Sequence, residues 1–272
     1  MNTAAPVRPA VLLTAFDRPR YLAPVLDAWA RVRGLHDWHL RVAVEPSATR
    51  DEVVDLVGGF VRRTGHDDTE VVLNPARLGV LENPYVHLDA LFRAGHDFVV
   101  RAEDDLIVAD DVLELLAHVA TTYAPDGSVA TAHAFSPDPS GPGSDELVRT
   151  DAFCPWVWGS WRDRWLDLVG PTWDRDYSTY NGSPGFETGW DWNLNTRVFP
   201  AHGLAAVAPR VSRVRNIGEV GEHGTPDDLV PAPTFAEHQP AQVYREVRRR
   251  TGGGDPGRDP GRQDHHPAVG RA

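Results

Sequence analysis

The chain has 272 residues and is 41% hydrophobic, enough for one sizeable core with a smaller subdomain. Its 39 acids outweigh 27 bases for a net charge of -12, which excludes a broad phosphate-binding surface and makes nucleic acid a poor partner. Every base is arginine, so no lysine can form a Schiff base or clamp a phosphate; the single cysteine, Cys154, can close neither an intrachain disulfide nor a cysteine-based zinc cluster.

Residues 1–9 read as a loose leader and residues 10–16 as a buried strand. A helix over 21–33 follows, with Leu22, Val25, Leu26, Trp29 and Val32 on one stripe. Residues 39–45 predict a second strand, and 50–63 a second helix with Val53, Val54, Leu56, Val57, Phe60 and Val61 on its apolar side. Residues 69–73 predict a third strand, 84–94 a third helix and 97–101 a fourth strand; a helix begins near Asp110, and 128–134 give another strand. This alternation predicts an α/β fold with a mainly parallel sheet flanked by helices, and such sheets bind ligands beyond the carboxyl ends of their strands. The second half opens with a turn-rich loop over 135–145 and then gathers seven tryptophans between 153 and 200. From Thr251 the composition loses apolar periodicity and reads as a disordered tail. No stretch approaches the roughly 18 apolar residues of a membrane span, and the expected location is cytoplasmic.

Four segments carry candidate chemistry. Glu103-Asp104-Asp105 sits at the end of the fourth strand, where mutual repulsion raises the pKa of each acid unless a cation compensates. Carboxylate oxygens suit Mn2+ or Mg2+; alternatively the acids are solvated or cap the next helix, although Asp110 and Asp111 are better placed for capping. The first strand ends in Thr14-Ala15-Phe16-Asp17-Arg18, without the glycine fingerprint of a dinucleotide fold or the lysine of a P-loop. An Asp-Arg pair there could hold a nucleotide or form a loop salt bridge. Asp191 lies between Trp190 and Trp192, either in a partly dry pocket that raises its pKa toward that of a general base, or on a core aromatic helix paired to an arginine. Lastly, Gly218, Gly221 and His223 form a run whose glycines let backbone amides approach a phosphate, with an ordinary surface loop as the alternative.

The order of these segments resembles the GT-A glycosyltransferases, and most closely the N-acetylglucosaminyltransferase I type. Phe16-Asp17-Arg18 is similar to that family's Cys-Asp-Arg tripeptide, and Glu103-Asp104-Asp105-Leu106 to its Glu-Asp-Asp-Leu metal motif. Arg149-Thr150-Asp151-Ala152-Phe153-Cys154-Pro155 is similar to its Arg-Thr-Asp-Phe-Phe-Pro segment, Trp190-Asp191-Trp192 to its Trp-Asp-Asp-Trp, and Ser212-Arg213, Gly218 to Gly221 and His223-Gly224 to its closing run. The resemblance implies a nucleotide-sugar-binding half over 10–134 and an acceptor-side half over 135–250. It makes Asp105 the ligand of Mn2+ or Mg2+ and Asp191 the catalytic base. Thr14, Phe16, Asp17, Arg18, Glu45, Glu103, Asp104 and His223 become donor contacts, and Trp158, Trp190 and Trp192 acceptor contacts. The implied reaction moves a sugar from a nucleoside diphosphate sugar, UDP-type favoured, to a hydroxyl with inversion. Two rivals stand beside it: a sugar-phosphate nucleotidyltransferase, and a non-catalytic carbohydrate-binding protein suggested by the tryptophans.

Overall fold

Runs of β-branched and leucine residues buried on both faces suit interior strands of a sheet covered on each side. In the computed structural model, which describes residues 8–136, 143–176, 189–219 and 234–247, these runs form β1 (Pro9–Ala15), β2 (His39–Val44), β3 (Thr69–Leu73) and β4 (Phe98–Glu103). They lie parallel, with Leu12 of β1 opposite Arg41 on one side and Arg101 on the other. Three helices connect them: α1 (Pro19–Trp29), α2 (Arg50–Thr64) and α3 (Gly79–Arg93). A short β5 (Leu106–Val108), α4 (Val112–Thr122) and β6 (Val129–His133) complete the first half.

The second half adds β7 (Glu146–Thr150), β8 (Trp158–Trp161), β9 (Ala205–Pro209), β10 (Val214–Asn216) and β11 (Arg245–Glu246). Nine strands join in one sheet in the order β11-β7-β9-β6-β8-β4-β1-β2-β3, while β10 pairs antiparallel with β5. The two halves therefore share one sheet: β8 is inserted antiparallel between β4 and β6. Each face carries its own core. Residues of α1, α2 and α4 pack on one side; α3 and the helical turns at Trp165–Val169 and Trp190–Val198 pack on the other.

Several local expectations shift. Helix α3 starts at Gly79, five residues before the predicted start, and Pro84 sits inside it. Asp110 and Asp111 do not cap α4 through their side chains. Asp110 accepts the Gln239 N–H at 2.9 Å and an Arg33 guanidinium contact at 2.9 Å, tying the 234–247 segment to the sheet. Asp111 is fully buried with Arg213, whose Nε donates at 2.9 and 3.0 Å, and it accepts the Tyr244 hydroxyl at 2.9 Å. Removing one partner of a buried pair leaves the other charge uncompensated, at about 3–5 kcal/mol. Arg213→Met is thus expected to lower the unfolding free energy by about that much in urea titration. Arg31→Met, which breaks an exposed pair with Glu237, should change it by less than about 1 kcal/mol.

Candidate active site

Because β1 and β4 are neighbours, the residues that follow their carboxyl ends meet. The backbone N–H of Phe16 donates to Asp104 Oδ2 at 3.2 Å. The Arg18 guanidinium spans the acid run, pairing with Asp104 through one nitrogen and with Asp105 Oδ2 at 2.8 Å through another. Asp104 and Asp105 are buried, 3% and 6% exposed. Burial pushes both carboxyls above their ordinary range; for Asp105 the Glu103 charge adds to this, and Arg18 opposes it at both. Burial alone would lower the Arg18 pKa, but Asp104 and Asp105 raise it above its ordinary value.

The β10 end closes on the same acids. Ile217 donates its N–H to the Asp105 carbonyl at 2.9 Å, and Gly218 bonds Asn216 Oδ1 at 2.6 Å. Gly218 packs directly on Asp105: a Cβ there would overlap Asp105 Oδ2 and stand 3.1 Å from Asn216 Oδ1. Gly218 therefore makes room for a carboxylate. Asp105 Oδ1 is buried and has no hydrogen-bond partner among the described residues. A buried acceptor left unmatched is costly, and a divalent cation satisfies it. Among the described residues no three His, Cys, Asp or Glu side chains close around one point. Among the described residues a cation here would rest on Asp105, with water and other ligands filling the remaining positions, as Mg2+ sites commonly do.

Asp191 comes from the second half, where Arg101 of β4 lies 4.9 Å from the ring centre of its neighbour Trp190. It opens the helical turn Trp190–Asn193 and is half-buried. Burial raises its pKa; Glu103 adds to the shift and Arg101 opposes it. Glu103, at the end of β4, thus acts on both Asp105 and Asp191.

The other sequence-selected residues divide. Thr14 is half-buried, and its hydroxyl donates to the Ala102 carbonyl at 3.4 Å, across the β1–β4 seam. Phe16 is half-buried, with the Arg77 guanidinium 4.6 Å from its ring centre, and Asp17 is exposed beside it. Glu45 is 3% exposed, and its carboxylate accepts the N–H groups of Leu78 at 3.0 Å and Gly79 at 2.8 Å. It thus engages the start of α3, the expected place for an acid at a positive helix end. Trp158 and Trp190 are corrected as sugar platforms. They are 1% and 3% exposed, and Trp173 stacks on Trp190 at 4.3 Å, so a sugar reaches neither ring. Trp192 is half-buried, and its ring N–H lacks a partner among the described residues. His223 lies outside the described residues, as does Gly221. Two residues went unassigned in the sequence: Arg101, a charge inside the apolar run of β4, and Gly218 as the neighbour of Asp105. The Arg101 signal was legible, since a charge in a central strand needs a reason.

Comparison with solved structures gives the fold of GT-A glycosyltransferases. A mannosyltransferase of Pyrobaculum calidifontis, PcManGT, in complex with GDP-Man and Mn2+, is 15% identical with a TM-score of 0.50; the match covers 78% of this chain and 60% of that one. S. aureus TarS, residues 1–349, is 12% identical with a TM-score of 0.52, covering 78% of this chain and 61% of that one. The chain thus spans about three fifths of the length of these structures. No family model matches the sequence, and no curated protein matches it. Among the described residues no helix is long and apolar enough to cross a membrane.

Proposed function

We propose that the chain is a metal-dependent glycosyltransferase that moves a sugar from a nucleoside diphosphate sugar to an acceptor hydroxyl with inversion. A shared fold hosts many chemistries, so the site must carry the reading. One observation supports it most: Glu103, two residues before Asp105, forms an ion pair with Arg101, whose guanidinium lies 4.9 Å from the ring centre of Trp190, the neighbour of Asp191. Asp191 takes the acceptor proton, and burial raises its pKa above the ordinary carboxylate value, which makes it a stronger base. A cation held by Asp105 would neutralise the charge on the departing diphosphate. Asp104, Asp17, Phe16, Thr14 and Arg18 form the donor side, and Arg18 keeps the two buried acids in place until the donor arrives. Trp192 is the remaining acceptor contact, and His223 a contact to the diphosphate.

The motif order supports a donor of the UDP type and a transferase of the N-acetylglucosaminyltransferase I kind. The carbohydrate-binding alternative loses its observation, because the tryptophans that suggested it lie mainly in the core. A ligand at 100 times its Kd stabilises the fold by about 2.7 kcal/mol. UDP and GDP, each with Mn2+, should therefore be compared by thermal unfolding with either component alone. A rise in Tm that needs nucleotide and metal together is expected from one of them, followed by release of nucleoside diphosphate from the cognate sugar donor. No joint stabilisation would overturn the reading, and release of pyrophosphate would assign a nucleotidyltransferase instead.

A further inference from the structure

Arg101 is 2% exposed in β4, between Leu12 of β1 and Trp158 of β8. A leucine or valine would suit that position, and a guanidinium there must be matched to be tolerated. Successive side chains of a strand alternate between faces. Val100 and Ala102 belong to the core under α1, α2 and α4; Val99 belongs to the opposite core with Trp158 and Trp190. Arg101 and Glu103 therefore project to the face that carries the Trp190–Asn193 turn.

Three separate parts of the chain meet this guanidinium. Glu103 forms an ion pair with it, the Pro155 carbonyl accepts from Nη1 at 3.4 Å, and the Trp190 ring lies 4.9 Å from its central carbon. We propose that Arg101 is a positioning residue for Asp191: it docks the Trp190–Asp191 turn and the 153–157 loop against the end of β4, and sets a fixed positive charge beside the Asp191 carboxylate. The arrangement balances that charge with Glu103, so the net field at Asp191 depends on the pair. Among the described residues, the charged or titratable groups acting on Asp191 include Arg101 and Glu103 from β4 and Cys154 from the loop. Burial pushes the Cys154 thiol up to about 12, so it stays uncharged while Asp191 titrates.

The proposal rests on Asp191 being the base, and its test is chosen to stand apart from that reading. The full chain labelled with [13Cγ]aspartate reports the Asp191 midpoint directly, with the resonance assigned by its loss in Asp191→Asn. Arg101→Met should move the midpoint upward by about one pH unit, and Arg101→Lys, which keeps the charge, by much less. Glu103→Gln, which removes the opposing charge without emptying the core, should move it downward. An unchanged midpoint in Arg101→Met, an equal shift in Arg101→Lys, or a rise in Glu103→Gln would overturn the proposal. If Arg101→Met does not fold, Arg101→Gln decides: the same upward shift of the Asp191 midpoint is expected, and an unchanged midpoint would overturn the proposal. Full turnover in Asp191→Asn would remove the base reading, while the titration still shows whether Arg101 governs Asp191.

Discussion

Asp191→Asn is expected to lower turnover roughly 10²–10⁴-fold, the usual contribution of a general base, while leaving nucleotide binding near the wild-type level. The substitution keeps the shape of a side chain at the start of a helical turn whose neighbour, Trp190, is stacked on Trp173. The turn should stay docked, so the loss falls on kcat rather than on donor affinity. The pH profile follows from the direction of the shift. Burial holds the Asp191 carboxyl above the ordinary carboxylate range, and the base works only when deprotonated. Wild-type activity should therefore be lost as pH falls through that raised value, above where an exposed aspartate titrates. In Asp191→Asn this limb should disappear. Steady-state rates over a pH series with saturating donor check both points, and unchanged turnover removes Asp191 from the mechanism.

Gly218→Ala is expected to damage metal-dependent nucleotide binding although position 218 carries no chemistry. The added methyl overlaps Asp105 Oδ2, which is held by Arg18 at 2.8 Å, and it crowds Asn216 Oδ1. Either the carboxylate turns away from Arg18 or the backbone after β10 withdraws from β5. Overpacking of this kind costs about 1–3 kcal/mol, and here it is concentrated on Asp105, the proposed cation ligand. The expected readout is weaker nucleotide affinity in the presence of Mn2+ with a modest drop in Tm. Wild-type affinity would show that Asp105 need not hold its present position.

The parts of the fold that sequence made legible are those specified locally. β3 falls at 69–73 in both sequence and structure, because a β-branched run bounded by polar residues needs no distant partner to be recognised. The start of α3 was misplaced for the opposite reason. Pro84 looks like a first-turn proline, but the helix begins at Gly79, where Glu45 from β2 meets the free N–H groups. That acid is 34 residues away in sequence, so no local pattern announces it. β8 was likewise hidden: Trp158–Trp161 has no clean alternation, being buried throughout between β4 and β6.

The site shows the same division. The acid run after β4 and the Phe16–Arg18 segment after β1 were identified because strand ends are predictable and these strands are neighbours. Their mutual engagement through Arg18 was not, since pairing across 86 residues is set by the sheet order. The tryptophans misled because their number suggested carbohydrate stacking, whereas their size makes them core-builders: Trp158, Trp165, Trp173 and Trp190 are all nearly fully buried. Arg101 was passed over because it stands inside a strand, where a charge is rare; Glu103 is two residues on, but Pro155 and Trp190 come from the far half of the chain.

Calorimetric titration of UDP, and then of GDP, into wild-type protein and into Asp105→Asn, each with Mn2+ and with EDTA, tests the central claim most directly. The account predicts binding of one nucleotide to the wild type with Mn2+, and no comparable binding with EDTA or to Asp105→Asn. Equal binding with EDTA, or Mn2+-dependent binding retained by Asp105→Asn, would contradict it.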